Sequence, residues 1–492
     1  MNVLAFDLGA GSGRALIGSL HGRKMQIREV HRFANDPVQV KDRLHWDILR
    51  LYHEIKQGLL QAKLQAGGGL ASLGIDSWAV DFGLIGDNGE LLGNPYHYRD
   101  HHTDQVMDEV FALLPKEEIF RRTGIQFLQF NTIFQLYALR KAGSPILAKA
   151  QTLLMIPELL RYFLTGEQIG EFTNASTTQL YNPIDGCWDR TLLERIGVRP
   201  ELFTRVCRPG TAIGGLLPSV RAELGLSDLQ VTAVAEHDTG SAVAAVPAEQ
   251  RHFAYLICGT WSLLGTETEK PVITDEALVF NFTNEGGVAG TNRLLKNIMG
   301  LWILEECRRT WRKQGLQLSY DEMSEQALQA ESFASLIDPD DPAFLNPANM
   351  PQAIQDYCRK TGQPVPEQIG QIVRCILESL ACKYRFVLEM TERLARQRYN
   401  GLHMIGGGIQ NKLLCQFTAN AIGRPVWAGP AEGSAVGNVL VQYMALGEIA
   451  DIWEARTIVR KSFAIETYLP LEQERWEKAY TAFLQMMKSS GS

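Results

Sequence analysis

The opening of the chain alternates between apolar runs and turn residues. Val3 to Phe6 is apolar, a glycine-dense stretch follows, Ala15 to Leu20 resumes with strand character, and after His21-Gly22 a third run spans Met25 to Val30. This pattern predicts a three-stranded meander. From Asp47 to Leu64 the period changes. Ile48, Leu51, Tyr52, Ile55, Leu59 and Leu60 recur at threes and fours, which predicts an amphipathic helix broken at Gly67-Gly68-Gly69. Leu73 to Ser77 and Val80 to Ile85 read as strands, closed by the Asp87-Asn88-Gly89 turn. Strands joined by tight turns and alternating with helices predict an α/β protein of mixed sheets flanked by helices on both faces.

A second strand–turn–strand unit, FAYLICGTWSLLGTE, starts at Phe253; its Gly259 follows Gly9 by about 250 positions, half of the 492-residue chain. That recurrence points to an internal duplication. The break at Ala244 to Arg251 then divides the chain into domains 1–245 and 246–492. Later, Ile369, Ile372, Val373, Ile376, Leu377, Leu380, Tyr384, Val387, Leu388 and Leu394 predict the longest helix, about Pro366 to Arg396, with Pro366 in its first turn. A strand Leu402 to Ile405, the Gly406-Gly407-Gly408 turn and a helix from Lys412 follow. Pro425 to Ala428 reads as a strand, Ala435 to Ala445 as a helix, and Glu472 to Lys488 as a closing helix.

Composition narrows the class. With 45% hydrophobic and 21% charged residues the chain is globular rather than disordered. Its 48 basic against 55 acidic residues give a formal charge of −7. That balance lacks the basic surface of a nucleic-acid binder. No run of about 18 apolar residues suggests a membrane span, and the start NVLAFDLGAGSGR does not read as a signal or transit segment, so a soluble cytoplasmic protein is expected. Eight cysteines occur without CxxC spacing, which favours buried, reduced thiols; Cys358 and Cys375, flanking a proline-containing turn, could approach one another.

The first chemically informative stretch is Asp7-Leu8-Gly9-Ala10-Gly11-Ser12-Gly13-Arg14. Glycines there let several N–H groups converge on an anion; Asp7 could hold a hydrated divalent cation and Arg14 reach a phosphate oxygen. An ordinary glycine hairpin is the alternative. GxxxxGK[ST] is absent, and the strand-like Ala15-Leu16-Ile17-Gly18 does not open the helix that a dinucleotide fingerprint needs. A hairpin gripping phosphates between two strands remains. Gly259-Thr260-Trp261-Ser262 offers a second such turn. At Glu236-His237-Asp238-Thr239, between an apolar strand and a helix, Asp238 could accept a proton from a substrate hydroxyl, or serve as a helix N-cap. His97, Asp100, His101, His102 and Asp104 suit either a metal site or, better, a solvated turn entering a helix after Thr103. Asp81-Phe82-Gly83 copies a kinase magnesium tripeptide without the rest of that signature, so coincidence is expected. Trp78, Trp261 and Trp302 read as core or as sugar platforms, and Gly406-Gly407-Gly408 as an adenine seat or a tight strand–helix crossing.

In this order, these motifs resemble the FGGY carbohydrate kinases of the actin/hexokinase-like ATPase superfamily. DLGAGSGR is similar to the first phosphate loop, YLICGTWS to the second and IGGG to the adenosine loop. Thr173-Asn174-Ala175-Ser176 and Ala435-Val436-Gly437-Asn438 fall in the connecting regions, and the likeness spans about residues 3 to 460. GIDSWAVDFGLI, RRTGIQFLQFNTIFQL, AEHDTGSAV, FNFTNEGG and LLKNIMGLWILE resemble one ketose-specific branch. The resemblance implies two actin-like (ribonuclease H-like) domains with an interdomain cleft, in a monomer or small homo-oligomer. It implies ATP and Mg2+ as cofactors and transfer of the γ-phosphate to the 1-hydroxyl of a small-molecule ketose. L-rhamnulose comes first, with L-fuculose, D-xylulose or a non-catalytic sensor as alternatives. By position, Asp238 would be the general base; His237, Asp238, Thr239, Ala79 and Asn297 would contact sugar. Ala10, Gly11, Ser12, Gly13, Arg14, Thr260, Glu305 and Gly407 would hold ATP, and Asp7 the metal. Ala79 and Glu305 stand where Gly and Gln are expected, and Asp100-His101-His102 where the family has D-x-R.

Overall fold

Packing divides the chain into two units that are discontinuous in sequence. One comprises Met1–Glu249, Glu267–Leu294 and Gly433–Phe463; the other Gln250–Thr266, Leu295–Glu432 and the segment from Ala464 onward. The expected halves 1–245 and 246–492 are contiguous, whereas Glu267–Leu294 and Gly433–Phe463 pack with the amino-terminal segment. This computed structural model describes residues 1–67 and 69–490. Gly68 of the expected glycine break lies outside the described residues.

The first unit is built on a six-stranded mixed sheet, ordered Thr211–Gly215, Gln230–Ala233, Ser72–Ser77, Asn2–Leu8, Ser12–His21, Lys24–Ala34. The predicted meander forms its antiparallel side. Ser72–Ser77 runs parallel to Asn2–Leu8 and to Gln230–Ala233. Asn2–Leu8 is apolar from Val3 to Phe6 because both of its faces are covered. Leu4, Phe6 and Leu8 join a core with Leu51, Ile55 and Leu59 of the helix Ile48–Gln65. Val3 and Ala5 join a second core with Val436, Val439 and Leu440 of the helix Gly433–Ala445. Each of these side chains larger than alanine contributes roughly 1.5–3 kcal/mol when fully buried.

The other unit repeats the plan. Ala254–Cys258 pairs antiparallel with Trp261–Thr268 and parallel with Leu402–Ile405, which continues to Val426–Ala428 and antiparallel Glu466–Tyr468. The 27-residue helix Ile369–Ala395 buries one face, and its Tyr384 hydroxyl meets Ser262 Oγ at 2.7 Å. All eight cysteines are free thiols, and Cys358 and Cys375 share a hydrogen bond. Among the described residues no helix is long and apolar enough to cross a membrane.

Two expectations change. Pro366 precedes the helix cap, Gln368, instead of occupying the first turn. The strand expected over Val80 to Ile85 starts only at Phe82, because Val80 turns through a positive φ of 68°. It pairs with Thr152–Met155.

In the first unit the helices Asp238–Ala244 and Gly433–Ala445 cross closely at Gly437, where a Cβ would stand 1.7 Å from the Ser241 carbonyl oxygen. Backbone cannot yield as a side-chain tip does. Gly437→Ala is therefore expected to destabilise the protein by about 3 kcal/mol or more. Urea unfolding against the parent chain measures this; an unchanged midpoint would show that the two helices can part freely.

Candidate functional site

Strand register gathers carboxylates at one end of the first sheet. Asp7 lies opposite Arg14 on the antiparallel side and opposite Asp76 on the parallel side. Arg14 Nη2 donates to Asp7 Oδ2 at 2.5 Å, so the two groups that sequence assigned separately to cation and phosphate are paired with each other. Asp76, which sequence reasoning missed, is fully buried. Its Oδ2 accepts from Asn438 Nδ2 at 2.6 Å, while its buried Oδ1 has no donor. Burial first, then the charges of Asp7 and Asp238, push its carboxyl well above the usual range. An acid inside the otherwise apolar strand LGID was the available signal. The adjoining turn is tied by Gly9 N–H to Ser12 O and by Asn35 Nδ2 to Gly9 O, both at 2.9 Å. A Cβ on Gly13 would stand 2.2 Å from the Phe33 ring, whereas Gly11 faces open space. The loop is thus held from behind and accessible in front.

The segment carrying Asp238 hangs from a buried carboxylate. Glu171 Oε2 accepts from Glu236 N at 3.1 Å and Thr173 Oγ1 at 2.5 Å, and Thr173 Oγ1 in turn accepts from His237 N at 3.0 Å. Ser77 N–H bonds Glu236 O at 3.0 Å, and the Glu236 carboxylate is paired with Arg161 Nε at 2.7 Å. Burial, with Glu236 nearby, pushes Glu158 and Glu171 up to about 8. Asp238 is the first residue of its helix; the N-cap position belongs to His237, whose side chain makes no cap bond. Asp238 Oδ1 accepts from Thr239 N at 2.6 Å and lies 3.5 Å from His237 Nε2. Burial raises the Asp238 carboxyl, His237 opposes that, and Asp7 reinforces it; the net direction is upward. A largely buried carboxylate so poised, with part of its surface still exposed, can take a proton from a hydroxyl.

Ala79 sits at a tight turn of the same unit, closed by Asp81 N–H to Ala79 O at 2.9 Å. A β-branched residue at positive φ is strained, and Val80 is held there by Thr132 Oγ1 donating to its carbonyl at 2.7 Å. Asp81 is wrapped by donors: Trp46 Nε1 at 2.6 Å, Gln135 Nε2 at 2.9 Å, Trp78 Nε1 at 3.0 Å and Tyr98 N at 3.1 Å. Burial still pushes its carboxyl up to about 7. The kinase-like tripeptide therefore has a structural role. The His/Asp cluster is only in part the expected solvated turn: His101 and Asp104 are exposed, but its centre is buried. Asp100 is buried at 2% exposure, accepting from Leu44 N at 2.7 Å and His102 Nδ1 at 2.9 Å. Burial opposes its ionisation, but these bonds prevail and hold it down to about 2. The following helix starts at Val106, after Gln105.

The other unit collects a second group. Exposed Thr260 lies in a turn closed by Gly259 N–H to Trp261 O at 2.9 Å, and its carbonyl receives Trp302 N–H, the start of the helix Trp302–Lys313. Glu305, on that helix, accepts from the Tyr320 hydroxyl and lies 3.8 Å from Arg308. Gly406, at φ 94°, and Gly408 press on Cys258, where a Cβ would meet its atoms at 2.9 Å and 2.4 Å; Gly407 faces open space. The tight-crossing reading of the triple glycine therefore holds at Gly406 and Gly408. Asn297 is half-buried on the strand Asn292–Met299.

Family models describe the chain along most of its length. The FGGY family of carbohydrate kinases matches through its N-terminal domain over residues 2–245 and its C-terminal domain over residues 254–446. The chain is 49% identical over 484 residues to a rhamnulokinase of Bacteroides thetaiotaomicron, covering 98% of each. It is 41% identical to a rhamnulokinase of Bacillus subtilis, covering 96% of each. Among solved structures it resembles a ligand-bound xylulose kinase from Lactobacillus acidophilus (TM-score 0.84, 16% identity, 100% and 98% coverage). It also resembles Plasmodium falciparum glycerol kinase with ADP (TM-score 0.78, 15% identity, 99% and 98% coverage). At such identities the likeness establishes the fold: two α/β domains of the actin/hexokinase-like kind, each a mixed sheet flanked by helices.

Removing the Glu171 carboxylate would strand the N–H groups of Glu236 and Thr173 and the Thr173 hydroxyl. Glu171→Ala is expected to lose about 3–5 kcal/mol of stability and hydrogen-exchange protection at residues 236–238. Chemical denaturation with amide exchange measures both; native protection there would refute the anchoring role.

Proposed function

We propose, since the chain belongs to the FGGY family of carbohydrate kinases, that it transfers the γ-phosphate of ATP to the 1-hydroxyl of L-rhamnulose, giving L-rhamnulose 1-phosphate and ADP. The observation that carries this reading is 49% identity over 98% of both chains to a protein named rhamnulokinase. Ketoses such as L-fuculose or D-xylulose are not favoured, because the named relatives at 39–49% identity are rhamnulokinases. Dependence on ATP fits a cytoplasmic reaction.

Asp238 takes the 1-hydroxyl proton as that oxygen bonds the γ-phosphorus and the bond to the ADP oxygen breaks. His237, Thr239, Ala79 and Asn297 orient the sugar. The backbone of Ala10, Gly11, Ser12 and Gly13, with Thr260, binds the phosphates, and Arg14 balances charge through Asp7. Open Gly407 and Glu305 receive the adenosine. The residues suit magnesium in the form it prefers, held by one or two carboxylates together with phosphates and water. Asp7, beside the buried and donor-less Oδ1 of Asp76, supplies that negative charge, while no three His, Cys, Asp or Glu side chains among the described residues converge to coordinate an ion directly. When bound, the ion would neutralise charge on the transferring phosphoryl group.

Mixing the protein with ATP, magnesium and a ketose panel, and following ADP, tests the reading; L-rhamnulose should be the preferred acceptor. Asp238→Asn should lower kcat by about 10²-fold to 10⁴-fold with ATP affinity retained. Near-normal turnover would reject the base. Because only ionised Asp238 can accept the proton and its carboxyl is raised, kcat/KM should fall as pH drops, with a midpoint above the ordinary carboxylate range.

A further inference from the structure

The His237 imidazole is buried among charged groups on both of its nitrogens. Arg293 Nη2 lies 3.0 Å from Nδ1 in hydrogen-bonding geometry, and Glu285 Oε2 lies 3.3 Å from the same nitrogen. On the other side Nε2 is 3.5 Å from Asp238 Oδ1. Arg293 has no solvent exposure, is ion-paired with Glu285 Oε2 at 3.1 Å, and donates through Nε to Gly286 O at 2.7 Å. The Gly286 N–H is itself fixed by Ser176 Oγ at 2.7 Å. A guanidinium only donates and does not lose its charge in a protein. The nitrogen it faces must therefore offer a lone pair, and a neutral ring then carries its proton on the other nitrogen.

We propose that Arg293, held by Glu285 and Gly286, is a positioning residue that fixes His237 as the Nε2–H tautomer, so that the ring presents a donor on the side of Asp238. This rests on the reading of His237 as a sugar contact. It gives the neighbouring side chains separate roles: His237 donates to a sugar oxygen, and Asp238 alone accepts a proton. Without Arg293, Glu285 would be the polar group left at Nδ1 and would draw the proton there. Nε2 would become an acceptor and a rival base.

Ring 15N shifts of histidine-labelled protein, recorded without ATP or sugar and assigned through the signal lost in His237→Gln, report the tautomer directly. The parent protein should show protonated Nε2 and lone-pair Nδ1. Arg293→Met should move the proton to Nδ1 and raise KM for L-rhamnulose about tenfold, with little change in KM for ATP; Arg293→Lys, which keeps a donor, should recover part of that loss. Glu285→Gln should keep the Nε2–H form. A parent ring protonated on Nδ1, a switched tautomer in Glu285→Gln, or a folded Arg293→Met with unchanged tautomer and KM would overturn the proposal. Should Arg293→Met not fold, as read by circular dichroism, the parent and Glu285→Gln spectra decide. Absence of turnover on every ketose, with the expected tautomer, supports this inference and sinks the substrate reading instead.

Discussion

A carboxylate removed from water has to collect hydrogen bonds, and the first unit is organised around that requirement. Glu171 gathers the backbone of Thr173 and Glu236 and the Thr173 hydroxyl, and through Thr173 it holds His237 N. The segment leading to Asp238 cannot shift without leaving those groups unsatisfied, a cost of about 1–3 kcal/mol each. Asp81 does the same for the turn at Ala79, and Asp100 for the hairpin strand Arg43–His45. Glu171 holds the backbone leading to Asp238, and Asp81 holds the Trp78 side chain next to Ala79.

The carboxylate-rich end of the sheet obeys the opposite rule. Asp7, Asp76 and Asp238 repel one another, with Arg14 paired to Asp7, Asn438 donating to Asp76 and His237 opposing the rise at Asp238. This incomplete compensation costs stability in the free protein and favours a cationic or proton-bearing ligand. The strained φ of Val80 and the raised carboxyl of Asp238 belong to the same pattern. The surrounding cores, buried on both faces of the central strand, are what keep such groups in place.

Periodicity determined the elements, because apolar side chains recur at two or at three and four wherever one or both faces are covered. That is why the meander, the helix from Ile48, the strand Leu402–Ile405 and the long helix from Ile369 were legible in the chain. The glycine turns after Leu8 and Cys258 and the strand-to-helix placement of Asp238 were also legible, since these are local signals. Pro366 and Val80 were misplaced, because a cap or a γ-turn is chosen by what the neighbouring elements can satisfy: Thr132 fixes Val80 from 52 positions away.

Charge partners are the part that only tertiary structure decided. Asn438 reaches Asp76 across 362 positions, and Arg293 reaches His237 across 56. The backbone preferences written in a sequence act over a few residues. The neighbours of a buried ion are set by sheet order and helix crossing, and these bring distant segments together only once the cores have formed.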